Sequence, residues 1–244
     1  MRVLGIIPAR YDSTRFPGKP LAEIAGKSMI QRVYERVRQA NGLHHVVVAT
    51  DDARIAQHVE AFGGAVTMTD PTHCSGTDRC AEASRNVTEP HDVVVNIQGD
   101  EPLIHPEQID ELVGCFEAPD TQIATLVRAT DDREAIQSAD TAKVVLDQQQ
   151  HALYFSRYPI PFQRDPAEDQ QQHWLHVGTY AYQATVLQQL TSLAPSDLEK
   201  AESLEQLRWL SHGFSIQTRV TSYPSIGVDR PEDVARVEAL LNAN

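Results

Sequence analysis

The chain predicts an α/β fold, a mostly parallel sheet between helices with a small antiparallel extension, and three observations carry it. Short β-branched runs alternate with helical periods through the first 141 residues, the pattern of parallel strands joined by crossover helices. From about residue 142, strand-like segments follow one another with no helical period between them, which reads as antiparallel pairing. The 244 residues, 41% hydrophobic and 23% charged, suffice for a full core, since a chain of this size buries roughly 70–75% of its unfolded surface.

Residues 2–7 read as a buried first strand, followed by a Pro/Gly-rich loop over 8–20. Ile30, Val33, Tyr34, Val37 and Ala40 recur at helical spacing, so 28–40 is an amphipathic helix with Ser28 as its N-cap. Residues 45–49 form the next strand. Thr50-Asp51-Asp52 then caps a helix that runs to about Ala61 and stops at Gly63-Gly64. Strands follow at 65–68 and 92–97, the latter leaving through Gln98-Gly99-Asp100-Glu101-Pro102, a polar turn where open α/β sheets place ligands. The antiparallel strands are 143–146, 152–156 and 176–182. Between the last two, 163–172 is rich in Gln, Asp and Glu without apolar periodicity and reads either as a lid loop or as a linker. A helix over 199–212, with Leu204, Leu207, Trp209 and Leu210 as apolar contacts, and one over 231–241 opened by Pro231 complete the chain.

Against 34 Asp+Glu stand 21 Lys+Arg, a net charge of −13. A polyanion binder neutralises phosphates with clustered cations, so this balance argues against nucleic acid as a partner. Apolar runs fall far short of the roughly 20 residues of a membrane span, and the run at 3–8 is too short for a signal peptide. A cytoplasmic location without membrane association is the expectation. Cys74, Cys80 and Cys115 form no Cys-x-x-Cys pair and predict neither a disulfide framework nor a zinc site.

Local charge is another matter. The loop Pro8-Ala9-Arg10-Tyr11-Asp12-Ser13-Thr14-Arg15-Phe16-Pro17-Gly18-Lys19-Pro20 places Arg10, Arg15 and Lys19 at the carboxyl end of a strand, where backbone N–H groups add to a site for polyphosphate. Solvated cations paired with Asp12 and Glu23 are the plainer alternative. Gly26-Lys27-Ser28 imitates the end of a P-loop, but the first Gly of that pattern falls on Leu21, so a turn and an N-cap are expected instead of a kinase site. Asp100 suits a hard cation held by oxygen ligands, and Asp229 in Gly227-Val228-Asp229-Arg230-Pro231 is the second candidate ligand or, equally, a helix N-cap.

These residues carry a resemblance. The loop at 8–20 is similar to the Pro-Ala-Arg…Ser-Thr-Arg-x-Pro-Gly-Lys-Pro-Leu signature of sugar nucleotidyltransferases. Ser75-Gly76-Thr77-Asp78-Arg79, Asn96-Ile97-Gln98-Gly99-Asp100-Glu101-Pro102, Ala152-Leu153-Tyr154-Phe155-Ser156-Arg157, Leu204-Glu205-Gln206-Leu207-Arg208 and Gly227-Val228-Asp229 resemble the 3-deoxy-manno-octulosonate (Kdo) cytidylyltransferase family, in family order over nearly the whole chain.

The resemblance implies a Rossmann-like, GT-A-like three-layer nucleotidyltransferase sandwich forming one domain. Residues 1–141 would mainly bind nucleotide, about 142–185 would form an antiparallel extension for sugar binding and dimerisation, and 186–244 would return helices and a metal-site segment. It implies transfer of CMP from CTP to the anomeric hydroxyl of Kdo, for lipopolysaccharide assembly, by a cytoplasmic homodimer using Mg²⁺. Carried over residue by residue, Arg10, Lys19, Asp100 and Asp229 would be catalytic, with Asp100 and Asp229 as metal ligands. CTP would meet Pro8, Ala9, Arg10, Ser13, Arg15, Lys19, Ser75, Gly76, Asp78 and Gln98, and the sugar Gln98, Arg157, His176, Tyr180, Glu205 and Gln206. Taken alone, a strand His such as His176 is more often structural, Tyr180 and Tyr182 alternate with Thr179 and Ala181 so that one of these two sets faces the core, and Glu205 and Gln206 would sit on a solvated helix face. Asp78 and Asp229-Arg230-Pro231 are shared with variants acting on the 8-amino analogue of Kdo, whereas Glu101 and Gly227 match the ordinary form. A non-catalytic nucleotide-binding protein is the remaining alternative.

Overall fold

Strands buried on both faces need neighbours that arrive through helices, and the β-branched runs of the first hundred residues meet that condition. The structure, a computed structural model, describes residues 1–12, 15–164 and 172–242. Its strands are β1 (Val3–Ala9), the hairpin β2 (Glu23–Ile24) and β3 (Lys27–Ser28), β4 (His45–Thr50), β5 (Val66–Met68), β6 (Val93–Asn96), β7 (Ile123–Thr130), β8 (Lys143–Leu146), β9 (Ala152–Ser156), β10 (His173–Gln183) and β11 (Ile216–Val220). The main sheet runs β11-β7-β10-β6-β1-β4-β5. Parallel pairs join β1 to β4 and β6, β4 to β5, and β7 to β11.

Helices α1 (Met29–Val37), α2 (Ala53–Ala61) and α4 (Pro106–Gly114) cover one face, and α3 (Gly76–Asn86), α6 (Ala184–Leu190) and α8 (Gln206–Ser211) the other. This makes three layers. The short α5 (Arg133–Gln137) and α7 (Asp197–Glu202) lie in the connections, and α9 (Pro231–Asn242) rests on a small separate cluster of Ile24, Met29, Val228 and Val237. The expected caps are in place: Ser28 Oγ accepts from Gln31 N at 3.2 Å, and Asp52 accepts from Arg54 N at 2.9 Å. At the end of α2, Gly63 takes φ 80° and Gly64 N donates to Val59 O at 2.9 Å, which satisfies carbonyls that the helix leaves open. Gly26-Lys27-Ser28 is a hairpin turn that runs into the α1 cap, with Gly26 at φ 79°.

Two elements differ from the sequence reading. The expected strand 176–182 starts at His173, and most of it lies inside the main sheet, antiparallel to both β6 and β7. A register shift between Val177 and Tyr180 divides it: the second half pairs with β6, whereas Trp174 and Leu175 pair with β8, which in turn pairs with β9. The extension is therefore continuous with the sheet. The helix expected over 199–212 is two helices, because Ser203 takes a left-handed conformation (φ 52°, ψ 49°) and ends α7. That break turns Leu204, Leu207 and Trp209 into the core while Arg208 reaches back to Glu199 through bonds of 2.7 and 2.6 Å. Of the lid or linker expected over 163–172, residues 165–171 lie outside the described residues, as does Ser13.

Candidate active site

Parallel neighbours β1 and β6 end side by side, with Ile6 opposite Asn96, so the loops that follow them face each other across one cavity of about 290 Å³. Close approach is built into this crossing: a Cβ on Gly99 would lie 2.8 Å from the Pro8 carbonyl oxygen, so glycine alone fits there. Pro8, Ala9, Arg10, Arg15 and Lys19 line one side of the cavity, Ser75, Gly76 and Arg79 another, and Gln98, Gly99, Asp100 and Asp229 the rest.

The basic loop is held open by its own turn. Gly18, at φ 73°, donates its N–H to Tyr11 O at 2.9 Å and packs against the Tyr11 ring, while the Arg54 guanidinium lies 3.4 Å over that ring's centroid. Lys19 follows directly and points inward. Its ammonium donates to Asp100 Oδ2 at 2.7 Å and to Val228 O at 3.0 Å, and stands 3.8 Å from Asp229 Oδ1. Arg15 reaches Asp229 Oδ2 at 3.6 Å in solvent, and Arg10 is exposed at the rim. Two carboxylates carried on different loops thus converge on one cation.

Opposite, α3 starts at the cavity wall. Ser75 caps it, its Oγ accepting from Asp78 N at 3.1 Å and donating to Asp78 Oδ2 at 3.0 Å, so Asp78 serves the helix start. The helix N-terminus adds partial positive charge to the side of the cavity that faces the cation-rich loop. Thr77, one residue on, donates to Glu205 Oε2 at 2.6 Å, and this bond leads from the cavity wall into a buried polar cluster. There Tyr180 packs edge-on to Trp209, and His176 Nε2 lies 3.1 Å from Thr125 Oγ1. Asn96 Oδ1 and Gln206 Nε2 are buried without a hydrogen-bond partner among the described residues. Gln98 ties the β6 exit to the bulge of β10 by donating to Gly178 O at 2.8 Å. Arg157 stands apart at the junction of α7 and α8, its guanidinium donating to the carbonyls of Glu202, Ala139 and Ser203 at 2.7, 2.9 and 3.2 Å.

Burial shapes the protonation of this region. It pushes the His176 imidazole down to about 4, so the ring is neutral. It raises the Glu205 carboxyl, against the pull of the hydrogen bond from Thr77. Glu101, beside Asp100 and only 6% exposed, is pushed up to about 7 by burial; its bond from Ser225 pulls down and the neighbouring Asp100 charge adds to the rise.

A family model described as cytidylyltransferase matches residues 4–218. The chain belongs to the cytidylyltransferase family. Over 251 residues it is 52% identical to the 3-deoxy-manno-octulosonate cytidylyltransferase of Phocaeicola vulgatus, covering 99% of this chain and 98% of that one. Identity to the enzyme of the same name from Parabacteroides distasonis is also 52%, over 252 residues, with the same coverage. The solved structure of CMP:2-keto-3-deoxy-manno-octonic acid synthetase complexed with CTP is similar over 100% of this chain and 99% of its own, with a TM-score of 0.95 and 45% identity.

Within this cytidylyltransferase the sequence reading had no role for three groups that the structure brings forward. Arg79 is 4% exposed, donates to Thr69 Oγ1 at 2.5 Å, lies 3.4 Å from Asp51 Oδ2 and lines the cavity. Its signal was its place three residues after Gly76, one turn along the same helix face. Lys143 is fully buried, its ammonium donating to the carbonyls of Ser138, Thr141 and Arg157 at 2.7, 2.7 and 2.6 Å. Glu101 is the third. Nothing local in sequence separates a buried lysine or glutamate from a solvated one.

Proposed function

We propose that this cytidylyltransferase transfers CMP from CTP to Kdo, releasing pyrophosphate. The observation that carries the reading is the convergence of Lys19 with Asp100 and Asp229 on a cavity at the carboxyl ends of β1 and β6, in a chain half identical to curated Kdo cytidylyltransferases. The anomeric oxygen of Kdo attacks the α-phosphorus of CTP and forms a new P–O bond. The bond from the α-phosphorus to the bridging oxygen breaks, its electron pair leaving with pyrophosphate, and the hydroxyl proton passes to water. Such a displacement needs positioning and charge neutralisation more than covalent chemistry.

The protein's own groups supply both. Lys19 and Arg10 meet the β- and γ-phosphate oxygens, where the leaving group gathers charge. The start of α3 at Ser75 and Gly76 bounds the nucleoside side. Thr77 and the buried cluster of His176, Tyr180, Glu205 and Gln206 lie behind that wall, and the unpartnered Asn96 Oδ1 and Gln206 Nε2 suit a polyhydroxylated ligand that brings its own donors and acceptors. Asp100 and Asp229 fit Mg²⁺, because they offer oxygen donors alone and already share one cation. When bound there, the metal neutralises phosphate charge and makes the attacking hydroxyl more acidic.

The 8-amino analogue is disfavoured, since the relatives are named for Kdo and Asp78 is engaged at its own helix start. A homodimer is supported by Leu153, Tyr158 and Phe162, which stand 61%, 74% and 83% exposed on and just after β9. No helix among the described residues is long and apolar enough to cross a membrane, and reliance on CTP supports a cytoplasmic location. Incubation with CTP, Kdo and Mg²⁺ tests the reading: pyrophosphate and CMP-Kdo are expected, and release of CDP, or of nothing, refutes it.

A further inference from the structure

Asp229 sits on a stretch, residues 222–229, that has no regular secondary structure, and its side chain is 59% exposed. Neither a strand nor burial sets the position of this carboxylate. Yet a cation shared between two carboxylates requires oxygens placed to within about 0.5 Å. Something else must hold the segment.

The holding groups come from the turn after β6, from Lys19 and from the start of α9. Ser225 Oγ donates to Glu101 Oε1 at 2.7 Å, Val228 N donates to Asp100 O at 2.9 Å, and Lys19 Nζ donates to Val228 O at 3.0 Å. Val228 is fully buried between these bonds in the small cluster beneath α9. The far side is finished by Asp233, whose Oδ2 accepts from both Asp229 N and Arg230 N at 2.9 Å. Glu101 is the costly member: a carboxyl 6% exposed, next to Asp100, with no ion pair to a cation among the described residues. An apolar residue would fill that space at lower cost, and what it would lack is the bond from Ser225.

We propose that Glu101 is a positioning residue that, through Ser225, latches residues 225–229 onto the end of β6 and so sets Asp229 opposite Asp100. This rests on the functional reading for its consequence, since the metal pair is what the latch serves, but the latch itself is a matter of backbone order. Adjacent residues divide the work: Asp100 faces the cavity, while Glu101 turns inward and fixes the loop that brings the second carboxylate. A displacement of about 1 Å in such a group is enough to cost roughly a hundredfold in rate.

Three variants test it: Ser225→Ala, Glu101→Ala and Glu101→Gln, whose amide oxygen still accepts from the Ser225 hydroxyl. Amide hydrogen exchange, which needs no substrate, should speed up at least tenfold at Val228 and Asp229 in both alanine variants and stay at the wild-type rate in Glu101→Gln. Calorimetric titration of Mg²⁺ into the CTP-bound protein should show affinity about tenfold weaker in the alanine variants, with KM for CTP little changed. Combining Glu101→Ala with Ser225→Ala should add nothing to either alone. Wild-type exchange and Mg²⁺ affinity in Ser225→Ala, or equal damage from Glu101→Gln and Glu101→Ala, would overturn the proposal. If the wild-type chain made no pyrophosphate from CTP and Kdo, the functional reading would fail, while the exchange data would still decide the latch.

Discussion

Lys19 and Asp100 are 81 residues apart in the chain and 2.7 Å apart in space. Their meeting follows from the parallel pairing of β1 with β6, which delivers the loop after each strand to the same carboxyl end of the sheet. Lys19 also contacts the segment that carries Asp229, so one ammonium ties together three of the segments that line the candidate site.

Replacing either partner should therefore damage function more than folding. Lys19→Ala and Asp100→Asn are each expected to lower pyrophosphate release at least tenfold, in line with the roughly 10²–10³ lost when one positioned donor is removed from a developing charge. Circular dichroism and melting should stay near wild type, since Asp100 is a third exposed and the pair borders a cavity. Turnover at the wild-type level in either variant sinks the assigned roles.

His176 and Glu101 should impose opposite pH dependences on stability. With the imidazole pushed down to about 4 from 6.5, the unfolded chain takes up a proton in that window and the native chain does not. Its contribution is complete above 6.5 and is lost as pH falls toward 4. With the Glu101 carboxyl pushed up to about 7 from 4.5, the native chain keeps a proton that the unfolded chain releases, so its contribution is complete below 4.5 and is lost as pH rises through 7. Each displacement corresponds to about 3 kcal/mol. Chemical denaturation between about pH 5 and 7 should show stability falling with pH in His176→Gln relative to wild type and rising in Glu101→Gln. Identical slopes in the two variants would contradict both assignments.

Lys143 is expected to be a stability residue. Lys143→Met keeps the chain length but leaves three carbonyls in a buried place without their donor. At roughly 1–3 kcal/mol for each orphaned group, partly relieved by relaxation, a loss of about 4 kcal/mol is reasonable. For a chain of this size that lowers the melting temperature by about 10 °C. A shift of under about 2 °C would show that the ammonium does not organise this loop.

The apolar edge at β9 makes a further test. Sedimentation should give a particle of twice the 27.1 kDa chain, and Leu153→Glu with Phe162→Glu should give the single chain with its melting profile retained. A monomeric wild type, or a dimer untouched by both changes, removes this surface from the assembly.

Much of the fold was legible because local patterns and tertiary needs agree. Ile30, Val33, Tyr34 and Val37 announce α1 and are all buried, and Ser28, Asp52 and Gly63 cap helices where their chemistry says they should. Legibility failed where long-range packing overrode local preference. Residues 199–212 have helical periodicity throughout, yet burying Leu204 and Leu207 while pairing Arg208 with Glu199 required a left-handed turn at Ser203, which no local signal marks. β10 reads as one strand, and its change of partner at Gly178 and Thr179 depends on where β6 stops. In the site, Arg10, Arg15, Lys19, Asp100 and Asp229 take roles from the chain alone, whereas Arg79 and Glu101 stand in its motifs without a role, because their significance lies in burial.

By itself, then, the sequence determined the α/β class, the order of its main elements, the cation-rich loop within a chain of net charge −13, and the family. Those properties reside in composition, periodicity and short motifs, which are local. Tertiary structure alone decided that Lys19 faces two carboxylates from distant loops, that β10 enters the main sheet, and that Glu101 holds the segment bearing Asp229. The physical reason is that each of these depends on which backbone groups and charges the sheet brings within hydrogen-bonding distance, and a change of strand order would alter every one of them without changing a residue.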